Sequence, residues 1–265
     1  MKILENDSWL KPYEKQLAQR EKLFLRKEKA LTQGGSLSDF ATGYLYFGLH
    51  RTATSWVFRE WAPNATAIYM IGEFTDWKTN AEYALKPLSK GVWEIELPAD
   101  KLRHQHLYRL LVCWKGGQGE RIPSYANRTV QDDYTKIFSA QVWNPEHQYV
   151  WTAPKCETKN TVPLIYESHA GMATEEYRVG TFTEFRDIML PYINESGYNT
   201  IQLMAVQEHP YYGSFGYHVS NFFAVSSRFG TPDEFKSLID TAHQMGLRVI
   251  MDLVHSHSVK SLCKP

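Results

Sequence analysis

Three side chains capable of chemistry follow one apolar stretch near the end of the sequence: Asp252, His255 and His257, in LRVIMDLVHSHSVK. Histidines two residues apart on an extended segment point the same way, so they can bind a catalytic zinc with Asp252 or Glu208 as a further ligand. A carboxylate and an imidazole can equally form hydrogen bonds with adjacent hydroxyl groups of a sugar. A third interpretation is that these residues only close a polar cluster at the end of a strand.

A long segment rich in aromatic residues and glycine favours the sugar interpretation. This segment, EHPYYGSFGYHVSNFFAVSSRFGTPDEF, follows the second predicted strand, and aromatic residues make up 14% of the whole chain. Flat rings pack on the C–H faces of an uncharged sugar while its hydroxyl groups take hydrogen bonds. For any single aromatic residue, packing in a core is the alternative interpretation.

These residues need a sheet to position them, and the second half of the chain predicts one. The stretches PLIYESHAGM, YNTIQLMAV and LRVIMDLV are apolar on both sides and alternate with helical patterns, which indicates a parallel sheet, open or closed into a barrel. In either form, functional residues lie where the strands end. The predicted strand ends carry three pairs of polar residues: Glu167 with His169, Glu208 with His209, and Asp252 with His257.

Two helices are expected between these strands. The first falls around TEFRDIMLPYINESG. The second is the clearest element in the sequence, because Thr231 and Glu234 form a capping-box pattern, Pro232 occupies the first helical position, and Gly246 marks the end. Its predicted apolar face consists of Phe235, Leu238, Ile239 and Ala242.

The first half of the chain has a different pattern. Short aromatic or alternating stretches separated by turn residues fill residues 43–150 and predict a β-sandwich. A helical pattern precedes them and ends at Gly34 and Gly35. The residues at helical spacing are Tyr13, Leu17, Arg20, Phe24 and Lys27. We therefore expect four segments: a helical leader at 1–35, an immunoglobulin-like β-sandwich at 36–151, a polar linker at 152–162, and the α/β region at 163–265.

Composition limits the classes of partner. Lys plus Arg and Asp plus Glu are balanced at 29 each, so the sequence predicts no charged field for a nucleic acid or an anionic membrane. The three cysteines, Cys113, Cys156 and Cys263, are widely spaced and form no C-x-x-C motif, which disfavours a disulfide framework or a cysteine zinc site. No signal peptide or apolar run of about 20 residues is present. The sequence predicts a soluble cytoplasmic protein.

Long contiguous motifs resemble one family. YESHAGM, the segment from GYNTIQLM to GTPDEF, and DLVHSHSVK are similar to the first three strand regions of the α-amylase superfamily (glycoside hydrolase family 13), and in particular of glycogen (1,4-α-glucan) branching enzymes. FREWAPNATAIYMIGEFTDW and GVWEIELP resemble the glucan-binding module that precedes the catalytic barrel, and WLKPYEKQ resembles the leader. The resemblance implies the first three βα units of a (β/α)8 barrel, an α-glucan as partner, and no metal or organic cofactor.

The resemblance also assigns residues. In the barrel, Asp252 and His257 match residues that contact the glucose unit at the point of cleavage, and Tyr217 matches a tyrosine that stacks beneath it. His255 is typical of the branching enzymes, and we derive no role for it. In the module, the matched residues are Trp61, Ala62, Pro63, Trp77, Gly91 and Arg109. Trp77 is expected to stack on glucan and Arg109 to donate hydrogen bonds to it, whereas Trp93 is expected in the core.

The family's reaction cleaves an α-1,4 link and transfers the oligosaccharide to a 6-hydroxyl group. It needs two carboxyl groups about 5 Å apart, a nucleophile and an acid/base. The resemblance places neither on a residue of this sequence, and the tail SLCKP departs from the family pattern. We therefore expect an inactive N-terminal fragment with unpaired strand edges and a bare apolar face on its sheet. A non-catalytic glucan-binding protein is the alternative.

Overall fold

The computed structural model describes residues 2–154 and 162–259. Most of the predicted linker lies outside the described residues, as do Cys156, Cys263 and the SLCKP tail. Contacts within the chain form two compact units, one that extends to Tyr46 and one that begins at Phe47. None of the helices among the described residues combines the length and the apolar surface that a bilayer-spanning segment needs.

The first unit is helical. It contains α1 (Lys2–Asn6), a 3-10 turn (Ser8–Tyr13), α2 (Glu14–Thr32) and α3 (Leu37–Phe40). Helix α2 ends where Gln33 adopts a left-handed conformation with φ of 54°, and the Gln33 N–H donates to the Lys29 carbonyl at 3.0 Å. No residue of α1, α2 or α3 is buried.

The second unit begins with a β-sandwich, as predicted. Its strands are β1 (Gly48–Arg51), β2 (Ser55–Trp61), β3 (Ala65–Gly72), β4 (Lys86–Pro87), β5 (Val92–Pro98), β6 (Leu107–Trp114), β7 (Gly117–Arg121), β8 (Thr129–Gln131) and β9 (Phe138–Gln141). One sheet has the order β1-β2-β5-β4 and the other β3-β6-β9-β8, with β7 paired to β6, and all pairings are antiparallel. Alternate residues such as Phe58, Ile68 and Leu110 point inward and are buried in the core between the sheets.

An α/β region follows the sandwich. Its elements are β10 (Ile165–Ser168), α4 (Phe182–Glu184), a π-helical turn (Phe185–Met189), α5 (Leu190–Glu195), β11 (Thr200–Leu203), β12 (Gln207–Glu208), β13 (Asn221–Val225), α6 (Pro232–Gln244) and β14 (Arg248–Met251). Strands β10, β11 and β14 form a parallel three-stranded sheet with β11 in the middle. Strands β12 and β13 form a separate antiparallel pair.

The second helix of this region has the predicted start, and the first differs from its prediction in regularity. Helix α6 begins with a capping box in which the Glu234 N–H donates to the Thr231 hydroxyl at 3.2 Å. The helix predicted as one element before β11 instead passes through a π-helical turn before Pro191. Proline lacks the N–H that would continue the α-helical hydrogen bonds to the preceding turn, which accounts for irregular pitch at this point.

The two faces of the parallel sheet differ. Ile201 and Leu203 of β11 are fully buried against the helices. On the opposite face, Ile165 and Ile250 are each 43% exposed. Gln202 lies in register between Glu167 on β10 and Ile250 on β14, and strand alternation places these three side chains on that exposed face.

Candidate functional site

The end of β14 brings two of the predicted sugar-binding residues into contact. The Asp252 N–H donates to the Leu203 carbonyl at 3.0 Å, which holds this residue beside β11 immediately after the strand. Its side chain then accepts two hydrogen bonds: the Tyr217 hydroxyl donates to Oδ2 at 2.9 Å, and the Gln202 amide donates to Oδ1 at 3.0 Å. Tyr217 belongs to the long aromatic segment between β12 and β13.

Tyr217 remains a hydrogen-bond donor at neutral pH. Burial first, and then the hydrogen bond to Asp252 and the charges of Asp252 and Glu167, raise the pKa of the Tyr217 phenol to about 12. The phenol is therefore protonated, and its O–H bond is directed at a carboxylate. The arrangement has a flat ring and an acceptor carboxylate in direct contact, which are the two chemical features that a sugar site uses.

The two histidines that follow have different partners. The His257 ring lies parallel to that of His218, the neighbour of Tyr217, at a centroid distance of 6.4 Å, and His257 Nδ1 is 2.7 Å from the Ser256 hydroxyl. The His255 ring stacks on Phe222 at 6.0 Å with an interplanar angle of 12°. His257 thus lies next to the segment that carries Tyr217, whereas His255 packs on β13.

The zinc interpretation has no support among residues 2–154 and 162–259. Within this part of the chain, no group of three or more His, Cys, Asp and Glu side chains is arranged to hold a metal ion. The separate partners of His255 and His257 also fail to direct the two imidazoles at one point.

The prediction that Glu208 and His209 lie at the end of the second parallel strand is wrong. Strand β11 ends at Leu203, and Glu208 belongs to β12, where it is 1% exposed. Its carboxylate accepts hydrogen bonds from four donors: the Ser227 N–H, the Ser226 hydroxyl, the His209 N–H and the hydroxyl of Thr129 in the sandwich. A buried carboxylate needs such partners, so Glu208 is an internal structural group that joins the two regions.

Histidines 169 and 209 are also internal. Both are buried, and the His169 ring packs edge-on against Tyr212, Phe215 and Phe229. Burial, and then the neighbouring His209, lower the pKa of His169 to about 4. The His169 side chain is therefore a neutral member of an aromatic cluster, not an exposed ligand at a strand end.

In the sandwich, Trp77 and Arg109 form one group. The guanidinium carbon of Arg109 lies 4.5 Å from the centroid of the Trp77 ring. Arg109 also donates to the Ser139 hydroxyl at 3.0 Å and to the Glu120 carboxylate at 2.5 Å. Trp77 is 36% exposed, and its backbone is left-handed with φ of 58°. The arginine is thus fixed beneath one face of a partly exposed ring.

The other four predicted module residues lie at the ends of β2 and β5. The Trp61 indole N–H donates to the Lys90 carbonyl at 3.1 Å, and its ring is 58% exposed. The Ala62 N–H donates to the Gly91 carbonyl at 2.9 Å. Gly91 has φ of 81°, and a Cβ there would lie 2.7 Å from Cα of Pro63. Ala62, Pro63 and Gly91 therefore shape a tight backbone contact beside the Trp61 ring.

Trp93 lies in the core. It is 7% exposed, and its indole N–H donates to the Ala62 carbonyl at 3.0 Å. This contact connects the core to the backbone next to Trp61. The interpretation of Trp93 as a packing residue agrees with its burial.

Sequence reasoning did not identify Gln202, His218 or Glu120. Gln202 had a signal, because its amide stands between the apolar residues Ile201 and Leu203 of the strand pattern TIQL. His218 could have been found as the neighbour of Tyr217. Glu120 had none, since its contact with Arg109 depends on how β7 pairs with β6.

The sandwich and the α/β region are connected by direct contacts. The Tyr125 and Phe223 rings stack at a centroid distance of 4.3 Å, and the Asn221 amide donates to the Pro123 carbonyl at 3.2 Å. On α6, buried Asp240 accepts from the Tyr149 hydroxyl at 3.0 Å and, at the start of the linker, from the Ala153 N–H at 2.8 Å. These contacts fix the module next to β13 and α6.

Comparison with protein families matches the same two regions. Residues 46–135 match the model of Carbohydrate-binding module 48 (Isoamylase N-terminal domain). Residues 174–263 match the model of the Alpha amylase, catalytic domain. The first match lies on the sandwich, and the second on the α/β region that carries Tyr217 and Asp252.

Related proteins extend the comparison to nearly the whole chain. The chain is 40% identical to a 1,4-alpha-glucan-branching enzyme of Dictyostelium discoideum and 42% identical to one of Rhizophagus irregularis, in each case over 98% of its own length. It spans 39% of the length of both relatives. Among solved structures, pullulanase type I of Bacillus subtilis complexed with maltose matches with a TM-score of 0.65 and 25% identity over 81% of this chain and 33% of that one.

Proposed function

We propose that this chain, which is homologous to 1,4-alpha-glucan-branching enzymes over nearly its whole length, is the part of such an enzyme that binds the α-glucan. The parent reaction is a glycosyltransfer that cleaves an α-1,4 link and attaches the oligosaccharide to a 6-hydroxyl group. The matches to the carbohydrate-binding module and to the amylase catalytic domain support this proposal.

The contact between Tyr217 and Asp252 carries the proposal. A tyrosine ring beneath a glucose unit packs on its C–H face and favours the positive charge that develops as the glycosidic bond breaks. Asp252 keeps acceptor positions for sugar hydroxyl groups beside the two hydrogen bonds that it already accepts. His257, next to His218, is proposed to contact the same glucose unit.

The group of Trp77, Arg109 and Glu120 supports a second contact with glucan. The ring of Trp77 offers an apolar face, and Arg109 offers N–H donors already oriented by Ser139 and Glu120. A bulky residue in the left-handed conformation costs about 1–3 kcal/mol, and such strain is concentrated at functional positions. Trp61, with Ala62, Pro63 and Gly91, is proposed as a neighbouring part of the same module's glucan surface.

The family's catalytic pair of carboxyl groups has no matching residues in this sequence. A retaining mechanism needs a nucleophile and an acid/base about 5 Å apart, and the resemblance puts neither on this sequence. We therefore propose that the 265-residue chain binds glucan without transferring it. In this proposal the three parallel strands are the first of a (β/α)8 barrel at 163–265, preceded by a leader at 1–35 and a module at 36–151, and the protein acts in the cytoplasm without a metal or organic cofactor.

A non-catalytic glucan-binding protein is the second candidate. The observation that favours it is the module's own pair of Trp77 and Arg109, which requires nothing from the α/β region. Under this alternative, glucan affinity depends on Trp77 alone and is insensitive to Tyr217.

One experiment separates these proposals. The purified chain is incubated with amylose, and branch content is measured together with maltoheptaose affinity for the parent, Trp77→Ala and Tyr217→Ala. We expect no new branches and a loss of affinity in both variants. An increase in branch content would contradict the proposed inactivity, and full affinity in Tyr217→Ala would leave only the module-based alternative.

A further inference from the structure

We propose that Gln202 is a positioning residue that fixes the Asp252 carboxylate in the orientation that binds a sugar. This inference rests on the proposed function of Asp252. The Gln202 amide donates to Oδ1 of Asp252 at 3.0 Å, while the Tyr217 hydroxyl donates to Oδ2 at 2.9 Å. The two donors hold one oxygen each, so rotation of the carboxylate would break both hydrogen bonds.

The position of Gln202 in the sheet makes it a rigid support. It lies in the middle of the three parallel strands, in register with Glu167 on one side and Ile250 on the other. Its neighbours in sequence, Ile201 and Leu203, are fully buried in the helix-packed core. The backbone of Gln202 is therefore fixed, whereas Asp252 lies just beyond the end of its own strand.

Asp252 benefits from such support because it lies just beyond the last residue of its strand, Met251. Beyond Asp252, the Val254 N–H donates to the Gln207 side chain at 3.4 Å. The carboxylate has about four acceptor positions, of which Gln202 and Tyr217 fill two. The two remaining positions are then presented to hydroxyl groups in a defined direction.

A neutral amide is the side chain that suits this role. A carboxylate at position 202 would repel Asp252 at neutral pH, because two carboxyl groups at this separation share one proton. A protonated carboxyl group, in contrast, can donate a hydrogen bond as the amide does. An apolar side chain of similar size would fill the space and donate nothing.

These properties give a test in which the sugar affinities of two variants of Gln202 respond differently to pH. Maltoheptaose affinity is measured by calorimetry at pH 7 and at about pH 5, with Trp77→Ala as the parent so that the sandwich contributes little. The variants are Gln202→Glu and Gln202→Leu. The matched control is Gln141→Glu, since the half-buried Gln141 amide donates at 3.3 Å to a backbone carbonyl and not to a carboxylate. The sugar affinity of the parent is measured at the same two pH values, so that pH effects of the ionisable groups Glu167, Asp252 and His257 are separated from the effect of the substitution.

We expect Gln202→Leu to weaken binding about tenfold at both pH values, the usual effect of one lost hydrogen bond to a charged group. Gln202→Glu should be at least as weak at pH 7 and return to within about threefold of the parent near pH 5, where a carboxyl group of ordinary pKa begins to protonate and the shared proton raises that pKa further. The affinity of Gln141→Glu should equal that of the parent at both pH values.

Other outcomes are distinguishable. Parental affinity in Gln202→Leu would overturn the positioning role and leave the proposed function intact. An absence of binding in the parent itself would refute the glucan role of Asp252 and the inference with it. If a variant fails to fold, the NMR signal of the Gln202 side-chain amide is followed in Asp252→Asn: a shift of this signal supports the contact, and an unchanged signal overturns the proposal.

Discussion

Replacing Trp77 with alanine tests the proposed glucan surface of the sandwich. The Trp77 ring is 36% exposed, and its other face is covered by Arg109 at 4.5 Å. A tryptophan can bury up to about 250 Å², so about 90 Å² of this ring is open to a ligand. At about 25 cal/mol per Å², complete coverage by sugar contributes about 2 kcal/mol and half coverage about 1 kcal/mol.

The expected result is a measurable loss of affinity. One to two kcal/mol corresponds to an increase of about sixfold to thirtyfold in the Kd for maltoheptaose, measured by calorimetry at neutral pH. Trp114→Ala is the matched control, because Trp114 is also 36% exposed and also has an arginine, Arg121, near its ring at 5.4 Å. The control should stay within about twofold of the parent.

Two outcomes would refute this reasoning. An unchanged Kd in Trp77→Ala would show that its open face does not contact the glucan. An equal loss in Trp114→Ala would show that any partly exposed tryptophan beside an arginine gives the same effect, so the assignment of Trp77 would have no basis.

Three further predictions follow from other contacts. Gly91→Ala should lower the free energy of unfolding by more than about 1 kcal/mol in urea titrations, because φ is 81° and the new Cβ would lie 2.7 Å from Cα of Pro63; unchanged stability would contradict this contact. Burial acts to raise the pKa of Asp240, but hydrogen bonds from Ala153, Thr152 and Tyr149 outweigh it and lower the pKa to about 2, below the ordinary 3.8. The ionised Asp240 side chain should therefore stabilise the fold fully above about pH 4, and this contribution should disappear as the pH falls to about 2. The free energy of unfolding, measured over this pH range, should depend less on pH in Asp240→Asn than in the parent. The same pH dependence in both proteins would contradict the prediction. Elemental analysis of the purified chain should find no stoichiometric zinc, whereas one zinc per chain would restore the metal interpretation of the histidines.

The fold followed from patterns that are local in sequence. The capping box at Thr231 and Glu234 requires only four consecutive residues, and helix α6 begins there. The apolar stretches around Ile201 predicted buried parallel strands, because both sides of such strands exclude water. The π-helical turn before Pro191 was not predicted, since a periodicity of 3.6 residues does not resolve one irregular turn.

The candidate site was only partly predictable. Tyr217 and Asp252 were assigned through the family resemblance, and their direct hydrogen bond is a tertiary contact between residues 35 positions apart. Glu208 was misplaced, because a polar pair after an apolar stretch does not reveal that the strand ends earlier and that the carboxylate is buried. The Arg109–Glu120 contact depends on strand pairing, which no single-strand pattern specifies.

The most direct test of the account is the NMR response of Tyr217 to maltoheptaose. The chain is labelled with 13C at the tyrosine hydroxyl-bearing carbon, and the Tyr217 signal is assigned by its loss in Tyr217→Phe. We expect this signal to shift saturably as maltoheptaose is added, in the parent and in Trp77→Ala. A Tyr217 signal that stays unchanged while glucan binds elsewhere on the chain would contradict the claim that Tyr217 and Asp252 form a sugar site.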